Sequence, residues 1–341
     1  MKSCHNPIVF VMVSNNSLNG HKVRLSFSPI IATFFTMLCV ALMLCVAVDA
    51  SAATPQKAKK SKSLRIKHAP PRLKVIGIAD LNKDGLPNLQ SHAFIVFNPA
   101  TGRALFSRNA DQAVPIASIT KLMTAMVVLE AKQNMDEPII VDRDDIDMLK
   151  GSRSRIPVGA AFRREDLMRL ALMASDNRAA AALGRSYPGG TVAFVDAMNA
   201  KAQLLGLQNA KFVDPTGLAP GNVASPQDLA LLVSAASTFA EIREFSTAQQ
   251  LHVTLPNGGR SIGFNNTNSL VRSEGWNIGL SKTGFINEAG KCLVMHATIA
   301  NNPVVIVLLD SWGKLTRVGD ANRIKKWLET QKIAGFASKQ G

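Results

Sequence analysis

The order of periodicities constrains this chain most: strand-like runs come first, helical patterns follow, and strand-like runs return. Residues 93–109 (AFIVFNPATGRALFSRN) hold two short apolar runs separated by Asn98-Pro99-Ala100-Thr101-Gly102, turn chemistry between paired strands. From Ser118, the stretch SITKLMTAMVVLEA is dominated by helix formers, with Ile119, Leu122, Met123, Met126 and Val127 at helical spacing, which predicts a buried helix. Helical patterns continue through residues 165–205, broken at Ser175-Asp176-Asn177 and around Pro188-Gly189-Gly190. After Pro256 the pattern turns to strands, LSKTGF, KCLVMHATIA and PVVIVLLDS, and an amphipathic stretch, RVGDANRIKKWLETQ, reads as a closing helix. The expectation is therefore an α/β fold in which an antiparallel sheet, built from both chain ends, packs against a mainly helical region.

The N-terminus bears on compartment. Residues 29–48 (PIIATFFTMLCVALMLCVAV) are almost wholly apolar, preceded by Lys22 and Arg24 and followed by Ala50-Ser51-Ala52, the order of a secretory signal. The run is also long enough to span a bilayer, so an uncleaved anchor is the competing expectation. Cys4, Cys39 and Cys45 fall in or before this segment, so a processed chain keeps Cys292 alone and has no internal disulfide. Next come eight Lys or Arg between Lys57 and Lys74 with no acid, and Pro70-Pro71 among them. This reads as a disordered basic linker, either a solvated spacer or a tether to an anionic glycan or membrane surface. The expected organisation is a signal peptide over residues 1–52, the linker over 53–84, one folded domain over 85–331 and a tail over 332–341. The formal charge of +15 favours anionic surroundings. With a single Tyr and no basic motif interleaved with aromatics, the chain is not expected to bind nucleic acid.

Three short motifs carry chemistry. In Ser118-Ile119-Thr120-Lys121 a hydroxyl and an amine stand three residues apart, within reach of one another on a helix. Burial and a second cation would lower the amine's pKa until it could act as a base, and the Ser118 N–H, at a helix start, would be free to face an oxyanion. The pattern is cheap, since Ser311-Trp312-Gly313-Lys314 also fits, but that copy follows a strand and contains Gly, so it is read as chance. Ser175-Asp176-Asn177, in a break between helices, can aim a hydroxyl and an amide into a cleft, or can simply cap a helix. Lys282-Thr283-Gly284 stands in a strand that can pair with an extended substrate, with Gly284 allowing close approach and Lys282 and Thr283 suited to a carboxylate. Each motif alone is weak. Together, in this order and on these elements, they form the signature of penicillin-binding proteins and β-lactamases.

The stretches PIASITKLMTAMVVLEA, LALMASDNRAAAALGRS, FVDPTGLAPGNVASPQDLA and GLSKTGFINEAGKCLVM resemble the low-molecular-mass penicillin-binding proteins, in particular their D-alanyl-D-alanine endopeptidases, over roughly residues 85–331. The resemblance implies the β-lactamase and penicillin-binding transpeptidase-like fold, a periplasmic location, and an acyl-enzyme mechanism on the peptide crosslinks of peptidoglycan, with β-lactams as covalent inhibitors. It implies Ser118 as nucleophile, Lys121 as base and Ser175 as proton relay. Asn177 would bind substrate backbone, Lys282, Thr283 and Gly284 would hold the substrate's anionic end and strand, and the N–H groups of Ser118 and Phe285 would form the oxyanion hole. No cofactor or metal is implied, and no His/Cys/Asp cluster has ligand spacing.

Four other readings remain. A class A β-lactamase would need a deacylating Glu, and there is none between Glu165 and Glu241. A carboxypeptidase of the same family usually adds a β-rich domain and a C-terminal anchor, for which this chain leaves little length after Gly284. A wall-binding or β-lactam-sensing module without activity would not need Ser118, Lys121, Ser175 and Lys282 intact. A Ser/His/Asp hydrolase finds no nucleophile-elbow glycine pattern; of the histidines beyond the linker, His92 and His296 are expected to be half-buried in strands, and only His252 is left.

Overall fold

The computed structural model describes residues 81–255 and 261–333. The expected signal peptide, the linker up to residue 80 and the tail from residue 334 lie outside the described residues. In chain order the elements are β1 (Ala93–Asn98), β2 (Arg103–Arg108), β3 (Val114–Pro115), a 3-10 turn over Ala117–Thr120, α1 (Lys121–Glu130), β4 (Pro138–Ile140), β5 (Ala161–Arg163), α2 (Arg164–Met173), α3 (Asn177–Arg185), α4 (Gly190–Leu204), β6 (Val223–Ala224), α5 (Pro226–Ala236), α6 (Ala240–Thr247), β7 (Gln250–Thr254), β8 (Ser261–Asn265), β9 (Asn277–Ile286), β10 (Gly290–Ile299), β11 (Asn302–Ser311) and α7 (Thr316–Ile333).

The main sheet has the order β2-β1-β11-β10-β9 and is antiparallel throughout. The N-terminal hairpin is completed by the C-terminal meander, with Ile95 opposite Val307 and Val96 opposite Ile306. Successive strand residues point to opposite faces, so the two faces carry different cores. Ile95, Phe97, Val294, Val305 and Val307 join the larger core with the helices. Phe94, Val96, Met295, Ile306 and Leu308 join a smaller one with Ala321, Ile324, Trp327 and Leu328 of α7. Because α7 covers the second face, the middle of β11 is apolar at every position.

Helix α1 lies at the centre of the helical layer, and every residue from Lys121 to Val128 is buried. It packs against α2, α3, α4 and α5, so it has no wet face and no polar stripe. The sheet's far edge, β9, carries Lys282-Thr283-Gly284 and comes against the 3-10 turn that leads into α1. One departure from expectation lies before Pro256, where strand structure already begins at Gln250; the alternation of Gln-Leu-His-Val-Thr pairs this segment with β8. His92 also differs: it is exposed, beside Asp310, just before β1.

Candidate active site

Ser118 does not stand in the first turn of the α-helix, as its spacing suggests, but in the 3-10 turn before it; α1 begins at Lys121. The turn is forced open at its start. Ala117 adopts φ +48, a left-handed conformation uncommon for a side chain with a Cβ, and Thr120 Oγ1 donates to its carbonyl at 2.8 Å. Gly217 packs directly on that carbonyl: a Cβ at Gly217, whose own φ is +80, would lie 2.0 Å from Ala117 O. The strain is concentrated beside the reactive hydroxyl, where surrounding packing has to hold it.

Lys121 follows one turn later and is fully buried. Its Nζ lies 2.9 Å from Ser118 Oγ, 2.6 Å from Asn177 Oδ1 and 2.6 Å from the Thr216 carbonyl. The last two atoms can only accept, so they take two N–H groups of the amine. In a neutral amine the remaining position is a lone pair, and it faces the Ser118 hydroxyl. Burial drives the Lys121 pKa from its ordinary 10.5 down to about 7, against the opposing pull of Asp214, Asp176 and Asp147. Lys121 can therefore be neutral near neutral pH and receive the Ser118 proton.

The break between α2 and α3 supplies the second group. Asp176 caps α3 through Ala179 N–H and accepts from Ser154 Oγ; it is the capping residue, which leaves its neighbours free for the cleft. Ser175 has φ +58, a second left-handed residue at the site, and its Oγ accepts from Lys282 Nζ at 2.8 Å. Asn177 is oriented by Ser152, whose Oγ accepts from its Nδ2 at 2.8 Å, so the carbonyl end of the amide faces Lys121.

From the sheet side, Lys282 is 1% exposed and donates also to its neighbour's Thr283 carbonyl. Its pKa is pushed well below the usual lysine range by burial, then by the charges of Lys121 and Arg317. Thr283 Oγ1 is 2.7 Å from Thr267 Oγ1. Gly284 is where strand and turn touch: a Cβ there would stand 2.9 Å from Ile116 O and 3.2 Å from Ser118 N. Phe285 is 55% exposed, with Lys291 Nζ 4.2 Å over its ring. The fold thus brings Ser118, Lys121, Ser175, Asn177, Lys282 and Gly284 into one site, with Phe285 next in line along the strand. Ser311, the chance S-x-x-K, ends β11 with its Oγ against Ser91, and Gly313 at φ +85 denies Lys314 the helical register.

Sequence reasoning missed four contributors. Thr216 acts through a backbone carbonyl, on a loop that Asp214 folds by accepting from Thr216, Gly217 and Ala219 N–H and from Asn222 Nδ2; Asp-Pro-Thr-Gly is a turn signal that could have drawn attention to it. Ser152 carries no local signal. Arg317, on α7, donates to the Gly284 and Cys292 carbonyls and fixes the end of β9. A cavity of about 440 Å³ opens beside Asn177 and Thr216, walled by Met148, Leu149 and Arg185. Among the described residues there is no cluster of side chains that could hold a metal ion and no helix long and apolar enough to cross a membrane.

Comparison with known proteins gives the family. A D-alanyl-D-alanine endopeptidase of Pseudomonas aeruginosa is 47% identical over 257 residues, covering 74% of this chain and 83% of that protein. One from Escherichia coli is 44% identical over 247 residues, covering 72% of this chain and 80% of its own. Among solved structures, a Streptomyces DD-transpeptidase is similar with a TM-score of 0.67 at 27% identity, covering 72% of this chain and 99% of that one. The family model described as D-alanyl-D-alanine carboxypeptidase matches residues 81–313. With that match spanning both walls of the cleft and all three motifs, the chain belongs to the D-alanyl-D-alanine carboxypeptidase family of serine peptidases.

Proposed function

We propose that the chain is an exported serine endopeptidase that hydrolyses D-alanyl crosslinks of peptidoglycan through an acyl-enzyme on Ser118. The observation that carries this reading is the Lys121 amine, held by two obligate acceptors with its third position on Ser118 Oγ. Neutral Lys121 takes the hydroxyl proton as Ser118 Oγ attacks the D-Ala carbonyl carbon. The oxyanion is received by the N–H groups of Ser118 and Phe285. The C–N bond then breaks, and the leaving amine takes the proton that Lys121 carries, relayed through the Ser175 hydroxyl that Lys282 holds, so that Lys121 is neutral again. Water repeats the attack, its proton passing to neutral Lys121 and on to Ser118 Oγ as the acyl C–O bond breaks, which releases the D-Ala carboxylate and free Ser118. Asn177 binds the acyl stem, and Lys282 and Thr283 face the carboxylate on the leaving side.

The endopeptidase reading is favoured over removal of terminal D-Ala by the relatives at 47% and 44% identity, which carry that name, whereas carboxypeptidase relatives stand at 27–30%. β-Lactams are expected to acylate Ser118 and remain, since no Glu between Glu165 and Glu241 is there to activate water. The periplasm is the expected location, from the apolar run at residues 29–48, and the basic stretch over 57–74 is a tether to anionic glycan or lipid headgroups.

A fluorescent penicillin tests the nucleophile: labelling is lost in Ser118→Ala and kept in Ser311→Ala. Labelling that survives Ser118→Ala refutes the assignment. Purified enzyme should convert crosslinked muropeptide dimers to monomers with little free D-Ala from pentapeptides; abundant D-Ala would make it a carboxypeptidase.

A further inference from the structure

Two walls border the lane in which an acyl stem would lie: the helical wall with Asn177, and the free edge of β9. The loop between β4 and β5 belongs to the first. Asp147 folds it, accepting from the N–H groups of Leu149, Lys150 and Ser152 at 2.8–2.9 Å. Ser152 fastens it to Asn177, and Ser154 to Asp176. From this anchored loop Lys150 reaches the other way. Its Nζ donates to Glu288 Oε1 at 2.5 Å, and Glu288 stands in the turn that joins β9 to β10. The ion pair therefore ties one wall to the other.

Its position along the lane follows from β9. Lys282 meets Ser175, Gly284 meets Ser118 N, and the strand then runs on toward Glu288. With the leaving side held at Lys282 and Thr283, the acyl stem has to extend the opposite way, toward that turn. β9 ends at Ile286 and Glu288 follows in the turn, so at about 3.3 Å per extended residue the bridge lies at most about 10 Å beyond the Phe285 N–H. An extended stem joined to Ser118 reaches it by about its third residue. A β-lactam, or a donor with only two acyl residues, stops short.

We infer that the Lys150–Glu288 bridge is a specificity-determining latch across the acyl-stem lane, which long stems must part and short donors and β-lactams never meet. The inference rests on Ser118 being the acylated residue. The side chains of Lys150 and Glu288 are 28% and 41% exposed, so water and salt screen the bond. Such a pair opens readily, and its effect on a rate is at most about fivefold.

The experiment compares wild type with Lys150→Ala, Glu288→Ala and the exchanged pair Lys150→Glu with Glu288→Lys. Three probes are used: crosslinked muropeptide dimers with full stems, a depsipeptide with a two-residue acyl donor, and fluorescent penicillin. Each single variant should raise kcat/KM on dimers two- to fivefold and leave the other two probes within twofold, and the exchanged pair should return the dimer value to that of wild type. Dimer rates that stay flat or fall in the single variants overturn the latch, a fall meaning that the charges hold the stem instead of barring it. A parallel rise on the short probes also overturns it, as does an exchanged pair as fast as the single variants. Penicillin labelling in Ser118→Ala separates the two readings: labelling there sinks the nucleophile, whereas lost labelling with a flat dimer ratio sinks the latch alone.

Discussion

Gly284→Ala tests whether contact between β9 and the 3-10 turn sets the oxyanion hole. A Cβ at this position would meet Ile116 O at 2.9 Å, Ala117 Cβ at 3.1 Å and Ser118 N at 3.2 Å, about 0.2–0.5 Å short of ordinary contact. Two of these neighbours are backbone atoms, so no flexible side chain can yield. The strand must move off the turn by a few tenths of an ångström, carrying the Phe285 N–H away from that of Ser118. Losing one oxyanion donor outright costs about 10²–10³ in rate. A partial displacement should cost about ten- to a hundredfold in acylation. Overpacking should take about 1–3 kcal/mol from stability, which leaves most molecules folded. Gly279→Ala is the control: it lies on the same strand, but its Cβ would meet His296 Nδ1 at 3.5 Å, an ordinary contact. Stopped-flow acylation by a fluorescent penicillin, with thermal melts of each variant, reads both effects. If folded Gly284→Ala acylates within twofold of wild type, or Gly279→Ala slows equally, the contact does not set the hole.

Acylation should rise as pH passes upward through about 7, because the base works only when Lys121 has lost its proton. Asp214→Asn removes the largest charge holding the Lys121 pKa up, so the midpoint of that profile should move to lower pH; a midpoint that stays or rises contradicts the electrostatic account. The same change turns an acceptor into a donor opposite Ala219 N–H and Asn222 Nδ2, and should lower the melting temperature. On the far side of the sheet, buried Asp320 accepts from the N–H groups of Gln90 and Ser91 and from Ser91 Oγ, docking α7 on the entry to β1. Asp320→Ala orphans those donors and should cost about 2–5 kcal/mol in denaturant unfolding, while penicillin labelling of the folded fraction at Ser118 is unchanged.

What could be read from the chain beforehand, and what could not, divides along a physical line. Side-chain chemistry at short spacing was legible: a hydroxyl and an amine three residues apart, an Asp where a helix starts, a Gly where a strand must pass close. The two-ended sheet was legible because strand periodicity sits at both ends with helices between. Backbone partners were not legible, since a carbonyl has no residue identity. Thr216 holds Lys121 across 95 positions, and Arg317 serves Gly284 across 33. Nor could composition show that Ser118 precedes the α-helix. That shift depends on Ala117 being held at positive φ by Thr120 and by the missing side chain of Gly217, a hundred residues downstream.

The same division bears on the different roles proposed for the two lysines, Lys121 as base and Lys282 as the group that holds Ser175. Lys121 and Lys282 are both buried and both depressed in pKa, and each touches a serine hydroxyl. Burial alone would make them equivalent. Three carboxylates, Asp214, Asp176 and Asp147, pull the Lys121 pKa back up to about 7, where it can exchange a proton in either direction. Lys282 has no such counterweight: burial, Lys121 and Arg317 all push it down. Each of the three acids around Lys121 also has a structural task, folding the Thr216 loop, capping α3 and folding the Lys150 loop. Residues that build the walls of the cleft therefore also tune the proposed base, and a substitution of any of these three acids should be felt in the pH profile before it is felt in binding.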